Sequence, residues 1–303
     1  MPSSNIDSLN REFSIAHHLV FKKGPNGLIC AEVKNDSAEA QIFLHGAHIT
    51  SFIPNGQEPV IFLSPKSLYE PGKAIRGGIP ISWPWFADHP TVKTKPAHGF
   101  ARTSLWDVRA TRRISKDETA ITLGLTDNED TLKLWNYRFD LEIAIRVGNE
   151  LDAGLTMTNT GKEDFTITSA FHSYYCVQDV SGVTIYGLEG CEYIDKVDNL
   201  TKKTQDGPVI ITDEIDRIYL DSKGDCVIDD PGLNRKIRVE KSGSSSTVVW
   251  NPWTQKARKM KDLGDQDYVK FICVETTNAG KDLITPAPGE QHKLELNITV
   301  QNP

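Results

Sequence analysis

The sequence predicts an all-β protein, one large antiparallel domain of the sandwich or barrel type. Three observations carry that expectation. Apolar and polar residues alternate with a period of two: Phe139, Leu141, Ile143, Ile145 and Val147 are separated by Asp140, Glu142, Ala144 and Arg146, which describes a strand with one buried face. Short runs of this kind recur along the chain between turn residues, among them Gly56, Asn128, Gly161, Gly182, Gly207, Gly224, Pro231-Gly232 and Gly243. Helical periodicity is nearly absent, and no alternation of strand with helix occurs, so parallel-sheet architectures are disfavoured.

In chain order, strand runs fall at residues 29–33, 41–53, 60–63 and 120–125. The clearest run, 138–147, turns at Gly148-Asn149 and continues through Leu151, Leu155 and Met157. Further runs occupy 165–175, 183–188, 209–220, 236–240, 247–250, 268–275 and 293–300. One helix of two or three turns is expected over 254–263 (TQKARKMKDL), stopped by Gly264. Ser64-Pro65 can open a short helical turn. No Pro/Ser-rich linker divides the 303 residues. Residues 13–303 therefore read as a single domain, and the polar residues 1–12 as a frayed terminus.

Composition narrows the function. The formal net charge is −7, and no basic stripe runs through the sequence, which argues against nucleic acid as a partner. The densest basic run, KARKMK at 256–261, reads as the solvated face of a short helix. There is no N-terminal apolar leader and no run of 18 apolar residues; a cytoplasmic protein without a membrane span is expected. Five scattered cysteines without a CxxC pair point to reduced thiols rather than a zinc knuckle or disulfide framework.

The most unusual segment is 75–102, IRGGIPISWPWFADHPTVKTKPAHGFAR. Its glycine pair and four prolines suit neither a helix nor a central strand. It is too aromatic to be disordered. It reads either as an ordered loop lining a pocket or as a connection whose tryptophans fill the core. In the first case Trp83, Trp85 and Phe86 are flat walls for a sugar ring, and Arg76 and Arg102 are forks for an anion such as phosphate.

Several polar residues sit where apolar ones are expected. His172, in SAFHSYY, shares a strand face with Thr168, Ala170 and Tyr174 if the strand stays regular. It reads as an acid or base or as a hydrogen-bonded structural histidine. Glu275, in KFICVETTN, follows Phe271 and Cys273 on one face, a carboxylate aimed into apolar surroundings. Asp216 reads as an acceptor for a sugar hydroxyl or as a strand-edge charge paired with Arg217. His45 and His48 cannot easily share a metal from one strand, because residues three apart face opposite ways; these and His17-His18 are expected to be hydrogen-bonded or exposed.

The ordered set RGGIPISWPWF, HGFAR, AFHSYY, TDEIDRIY, VVWNPW, VETTN and a closing PGE spans Arg76 to Glu290. Together these motifs resemble the hexose-6-phosphate 1-epimerase branch of the aldose 1-epimerase, galactose mutarotase-like family. The resemblance implies a β supersandwich with few helices and an isomerase of α and β anomers, with glucose 6-phosphate as substrate. It assigns His172 and Glu275 as the catalytic pair, Asp216 to the sugar hydroxyls, and Arg76, His98 and Arg102 to substrate binding, the two arginines facing the phosphate. It implies no cofactor, no metal and a monomer. Ala97 departs from relatives that carry Gln before HGFAR. Mutual attraction of the pair favours imidazolium beside carboxylate. A sensor without turnover, an epimerase of free hexoses and a glycoside-cleaving enzyme are the alternatives, the last disfavoured by the lack of a second catalytic carboxylate.

Overall fold

The computed structural model describes residues 5–301, which form three antiparallel sheets and three short α-helices. Leu19–Lys23, Ile29–Lys34, Ala38–Phe43 and His48–Pro54 make a four-stranded meander. A nine-stranded sheet is centred on Arg235–Ser242, Gln291–Gln301, Leu151–Asn159, Phe139–Val147 and Thr119–Thr126. An eight-stranded sheet runs from Thr201–Thr204 through Glu192–Asp195, Ile215–Leu220, Ser246–Asn251 and Phe271–Asn278 to Ser169–Phe171 and Ile81–Ser82.

The period-two alternation is realised as read. Phe139–Val147 buries every odd residue, and its hairpin partner Leu151–Asn159 does the same. Leu141, Ile143, Leu155 and Leu296 of the nine-stranded sheet meet Val249, Ile272 and Val274 of the eight-stranded sheet in one core. The other face of the eight-stranded sheet carries a second apolar cluster, including Phe62, Tyr174, Val248, Trp250, Phe271 and Cys273. The Phe271–Asn278 strand is thus buried on both faces. Everything polar on it needs a reason.

The structure corrects the boundaries of several elements. The 41–53 run is two strands, because the chain turns through Ala47 at a positive φ of 47°. The 165–175 run breaks into Ser169–Phe171 and Tyr174–Cys176, and 209–220 into Val209–Ile210 and Ile215–Leu220. Residues 60–63 make only single bridges, Ile61 with Tyr175 and Leu63 with Gly77. The helix expected over 254–263 is only Trp253–Ala257; the chain then turns, which lets Asp262 pair with Arg76 and Asp267 accept from the Gly264 N–H.

The frayed terminus is also corrected. Ile6–Phe13 is a helix capped by Asn5, whose side chain accepts from the Asp7 N–H at 2.9 Å. Its Leu9 is buried, and Asn10 exchanges two hydrogen bonds with the Phe21 backbone. Residues 1–4 lie outside the described residues. Asn128, read as a turn residue, is the N-cap of a further short helix, Glu129–Leu134.

The 75–102 segment divides between its two readings. Ile81–Ser82 adds an edge strand beside Ala170 and Phe171. Trp83 is fully buried among Phe100, Trp135 and Phe139, so it is core and not a pocket wall. Trp85 is buried too, its indole N–H donating to the Pro96 carbonyl at 2.8 Å. Of the three aromatic residues only Phe86 faces the cavity described next. Among the described residues no helix is long and apolar enough to cross a membrane.

Candidate active site

A cavity of about 630 Å³ opens on the outer face of the eight-stranded sheet, a size ordinary for small-molecule sites. Its walls include Arg76, Phe86, His98, Arg102, His172, Lys196, Asp216, Trp250, Lys256 and Glu275. The six residues that the resemblance assigns to the site, Arg76, His98, Arg102, His172, Asp216 and Glu275, therefore meet in one place.

The floor follows from strand register. Phe171 pairs with Thr276, and Tyr174 pairs with Cys273. The register is the same on both sides of the break, so His172 lies across from Glu275. Val248 pairs with Glu275 on the other side, and Asp216 is one strand further, opposite Trp250. At the break the His172 N–H donates to the Pro80 carbonyl, and the Tyr174 N–H to Gly78, each at 3.0 Å. The RGGIP segment thus substitutes for a neighbouring strand and holds His172 in place. Its ring stacks on Tyr174 at 4.9 Å, tilted by 10°, and meets Trp250 edge-on at 5.7 Å.

His172 Nδ1 and Glu275 Oε1 are 3.3 Å apart. The contact is close but is not aligned as a hydrogen bond: Nδ1 and the other carboxylate oxygen, Oε2, are buried without a partner. Buried polar atoms in native proteins are usually satisfied; two orphans side by side facing a cavity are suited to a ligand. Burial, reinforced by Arg102 and Arg76, pushes the His172 imidazole well below its ordinary range. Burial, reinforced by Asp216, pushes the Glu275 carboxyl well above its own. Both shifts favour the neutral form of the group concerned. They run against the expectation of an imidazolium–carboxylate pair: desolvation and two nearby guanidinium groups oppose the pair's mutual attraction.

The two arginines differ. Arg76 Nε and Nη2 lie 3.1 and 3.0 Å from Asp262 Oδ2, and Nη1 donates to the Tyr174 hydroxyl at 3.0 Å. Much of its fork is committed to holding the floor. Arg102 donates only to the Ala97 carbonyl, at 2.9 Å, and its buried Nε has no partner. Burial and the nearby Arg76 lower its pKa to about 10, so it stays charged at neutral pH with donors to spare.

His98 has a positive φ of 62° and reaches the cavity from the HGFAR turn. Its Nδ1 accepts from the Ala87 N–H at 3.3 Å and lies 3.1 Å from Ser82 Oγ. A backbone N–H can only donate, so the ring proton sits on Nε2. Asp216 is clasped by Lys196 at 3.0 Å, with Lys256 at 3.7 Å, and not by Arg217, which bonds to Gln205. Lys196 and Lys256 were not singled out in the sequence. Lys256 belongs to the basic run read as a solvated face; its position just after VVWNPW was the available signal. Lys196 follows a strand end with nothing to distinguish it from other surface lysines. The four histidines of the His17-His18 and His45/His48 motifs behave as expected: His18, His45 and His48 are hydrogen-bonded to Thr119 and to the Lys73 and Gly77 carbonyls, and His17 is exposed.

A buried imidazole–carboxyl pair under a cationic, aromatic-walled cavity on an antiparallel sandwich is an arrangement suited to proton transfer on a small polar molecule. Residues 30–299 match the family model described as aldose 1-epimerase. The chain is 36% identical over 289 residues, 91% of its length and 86% of the relative's, to a protein of Cenchrus ciliaris named "Putative glucose-6-phosphate 1-epimerase". It is 37% identical to an Escherichia coli K12 protein of the same name, over 82% of this chain and 83% of the relative. The fold superposes on a solved Salmonella typhimurium structure titled as a "putative mutarotase (YeaD)", with a TM-score of 0.90, 31% identity and coverage of 98% and 99% of the two chains. The chain belongs to the aldose 1-epimerase family.

Proposed function

We propose that this protein interconverts the α and β anomers of an aldohexose 6-phosphate, with D-glucose 6-phosphate as the favoured substrate. The observation that carries the reading is the unsatisfied His172–Glu275 pair at the floor of a cavity lined by Arg102, Lys196 and Lys256. The name that these relatives bear supports the phosphorylated sugar.

The chemistry needs one proton removed from the 1-hydroxyl and one delivered to the ring oxygen. Glu275, as carboxylate, takes the first, and His172, as imidazolium, gives the second. The bond between C1 and the ring oxygen breaks, leaving the open-chain aldehyde. Rotation about C1–C2 presents the other carbonyl face, and the same steps run backwards close the opposite anomer. The pair as a unit must hold one proton, and the substrate decides where it resides. A phosphate dianion on Arg102 neutralises the leading charge that disfavours imidazolium at His172; at Glu275 Arg102 acts behind Asp216 and Lys196, so binding promotes the acid form of His172 more than that of Glu275. Arg102 is the principal phosphate anchor, aided by the remaining donors of Arg76; Asp216, held by the lysines, and His98, through Nε2–H, contact sugar hydroxyls. Binding at the remote phosphate orients the reacting end.

The test is an anomerisation assay. Freshly dissolved α-glucose 6-phosphate is followed with a dehydrogenase that consumes only the β form. Wild type is expected to accelerate conversion, and His172→Ala and Glu275→Ala to lose roughly 10²–10⁴-fold each. Arg102→Ala should cost the phosphorylated sugar at least about tenfold more than free glucose. No acceleration by wild type would overturn the activity; equal losses on both sugars would overturn the phosphate assignment.

A further inference from the structure

We propose that the cavity floor is also an inhibitory site for a thiophilic divalent cation of the zinc or cadmium kind, held by His172 Nδ1, Cys273 Sγ and a carboxylate oxygen of Glu275. The inference rests on the reading of this pair as the catalytic one and adds a regulation of it. Its basis is geometric. Cys273 and Glu275 are two apart on one strand and face the same way, while His172 lies across from Glu275. The register therefore gathers a nitrogen, a sulfur and an oxygen, all within 4.8 Å of one another. Nδ1 and Oε1 are already 3.3 Å apart. Ligand atoms around a tetrahedral zinc stand about 3.3–3.8 Å apart, so small side-chain rotations complete the set. The cavity side is left open for water as the fourth ligand.

The orphaned atoms point independently to a ligand. His172 Nδ1 and Glu275 Oε2 are buried without any hydrogen-bond partner. An ion held through Nδ1 and Oε2 satisfies both; His172 and Glu275 line the cavity, and Cys273 is fully buried and does not. Charge balances as well. The cation replaces one proton on the Cys273 thiol and one on the Glu275 carboxyl, both released to solvent, and the imidazole binds in its neutral form. The site keeps its net charge, so Arg102 and Lys196 oppose the ion less than they would an uncompensated one. The donor set is soft: sulfur and imidazole select zinc and cadmium, whereas magnesium prefers oxygen ligands. A bound ion holds His172 and Glu275, the two groups proposed to exchange protons with the sugar, so inhibition is competitive.

The experiment uses the intact chain with Cd²⁺, Zn²⁺ and Mg²⁺. Cadmium reports directly through the ultraviolet charge-transfer band of a cadmium–thiolate bond, with no need for turnover. Wild type should develop this band, glucose 6-phosphate should suppress it, and magnesium should leave both band and activity untouched. Cys273→Ser should lose the band, and its remaining activity, measured against its own metal-free rate, should be at least about tenfold less sensitive to cadmium. His172→Ala keeps all the thiols and should also lose the band, which guards against a Cys273 variant that does not fold. A wild-type band unchanged in both variants would assign the ion to another cysteine and overturn the proposal, as would the absence of a band. A band that behaves as described in a protein without epimerase activity would sustain the site and refute only the assigned reaction.

Discussion

At the residue scale, the His172–Glu275 pair behaves as one titrating unit with a single working proton. Below the lowered pKa of His172 it gains a second proton, and above the raised pKa of Glu275 it loses the last. The rate kcat/KM is expected to follow a bell in pH whose limbs lie outside the ordinary histidine and carboxylate positions, acid-shifted on one side and alkaline-shifted on the other. Arg102 depresses both groups, so Arg102→Ala should move both limbs to higher pH. A pH profile of the variant that is scaled down but not shifted would refute this electrostatic coupling. Glu275 was conspicuous in the sequence as a carboxylate on an apolar strand face and His172 as a histidine on a polar-aromatic one; the roles proposed for them came from the motif resemblance. Lys196 and Lys256 were not conspicuous: a lysine that clasps an aspartate across a cavity looks, in one dimension, like any solvated lysine.

At the element scale, the site depends on the RGGIP and HGFAR segments, which replace regular strand pairing at the sheet edge. The critical approach is at Gly99, with φ of 70°: a Cβ there would stand 1.9 Å from the Trp83 carbonyl oxygen. Gly99→Ala must displace the turn that carries His98 and Arg102, and should lower kcat/KM by at least tenfold with about 2 kcal/mol or more of destabilisation. Gly56, with similar φ and nothing within 4 Å of the added atom, is the control; Gly56→Ala should cost only about 1 kcal/mol and no activity. Equal effects in calorimetry and the anomerisation assay would mean that backbone strain, not the close approach, matters at Gly99. The sequence announced that 75–102 was unusual but not which tryptophans turn inward. Aromatic composition suits core and pocket wall alike, and only the packing of Trp83 against Trp135 and Phe139 separates them.

At the scale of the whole molecule, the carboxyl proposed as catalytic weakens the fold it serves when it ionises. A group whose folded pKa lies above its unfolded one contributes stability that is full below the unfolded carboxylate range and is lost as pH rises through the folded value. Glu275 is such a group. Glu275→Gln should therefore be inactive yet more stable than wild type at pH 8, by about 1 kcal/mol or roughly 2–4 °C in Tm, with the difference vanishing toward pH 4. A Tm difference independent of pH would show that ionisation of Glu275 is not its source.

What the sequence determined by itself was local and periodic: the strand character, the faces on which His172, Cys273 and Glu275 lie, and the residue types available for proton transfer and anion binding. A period of two is a property of neighbouring residues, so it survives without knowledge of the rest of the chain. The tertiary structure alone decided that His172 stands across from Glu275, more than a hundred residues away in sequence, that Arg76 is committed to Asp262 while Arg102 keeps free donors, and that burial opposes a charge on either member of the pair. Each of these depends on cross-strand register and on burial, which are set by the closing of distant loops around a shared core and leave no mark in any one segment.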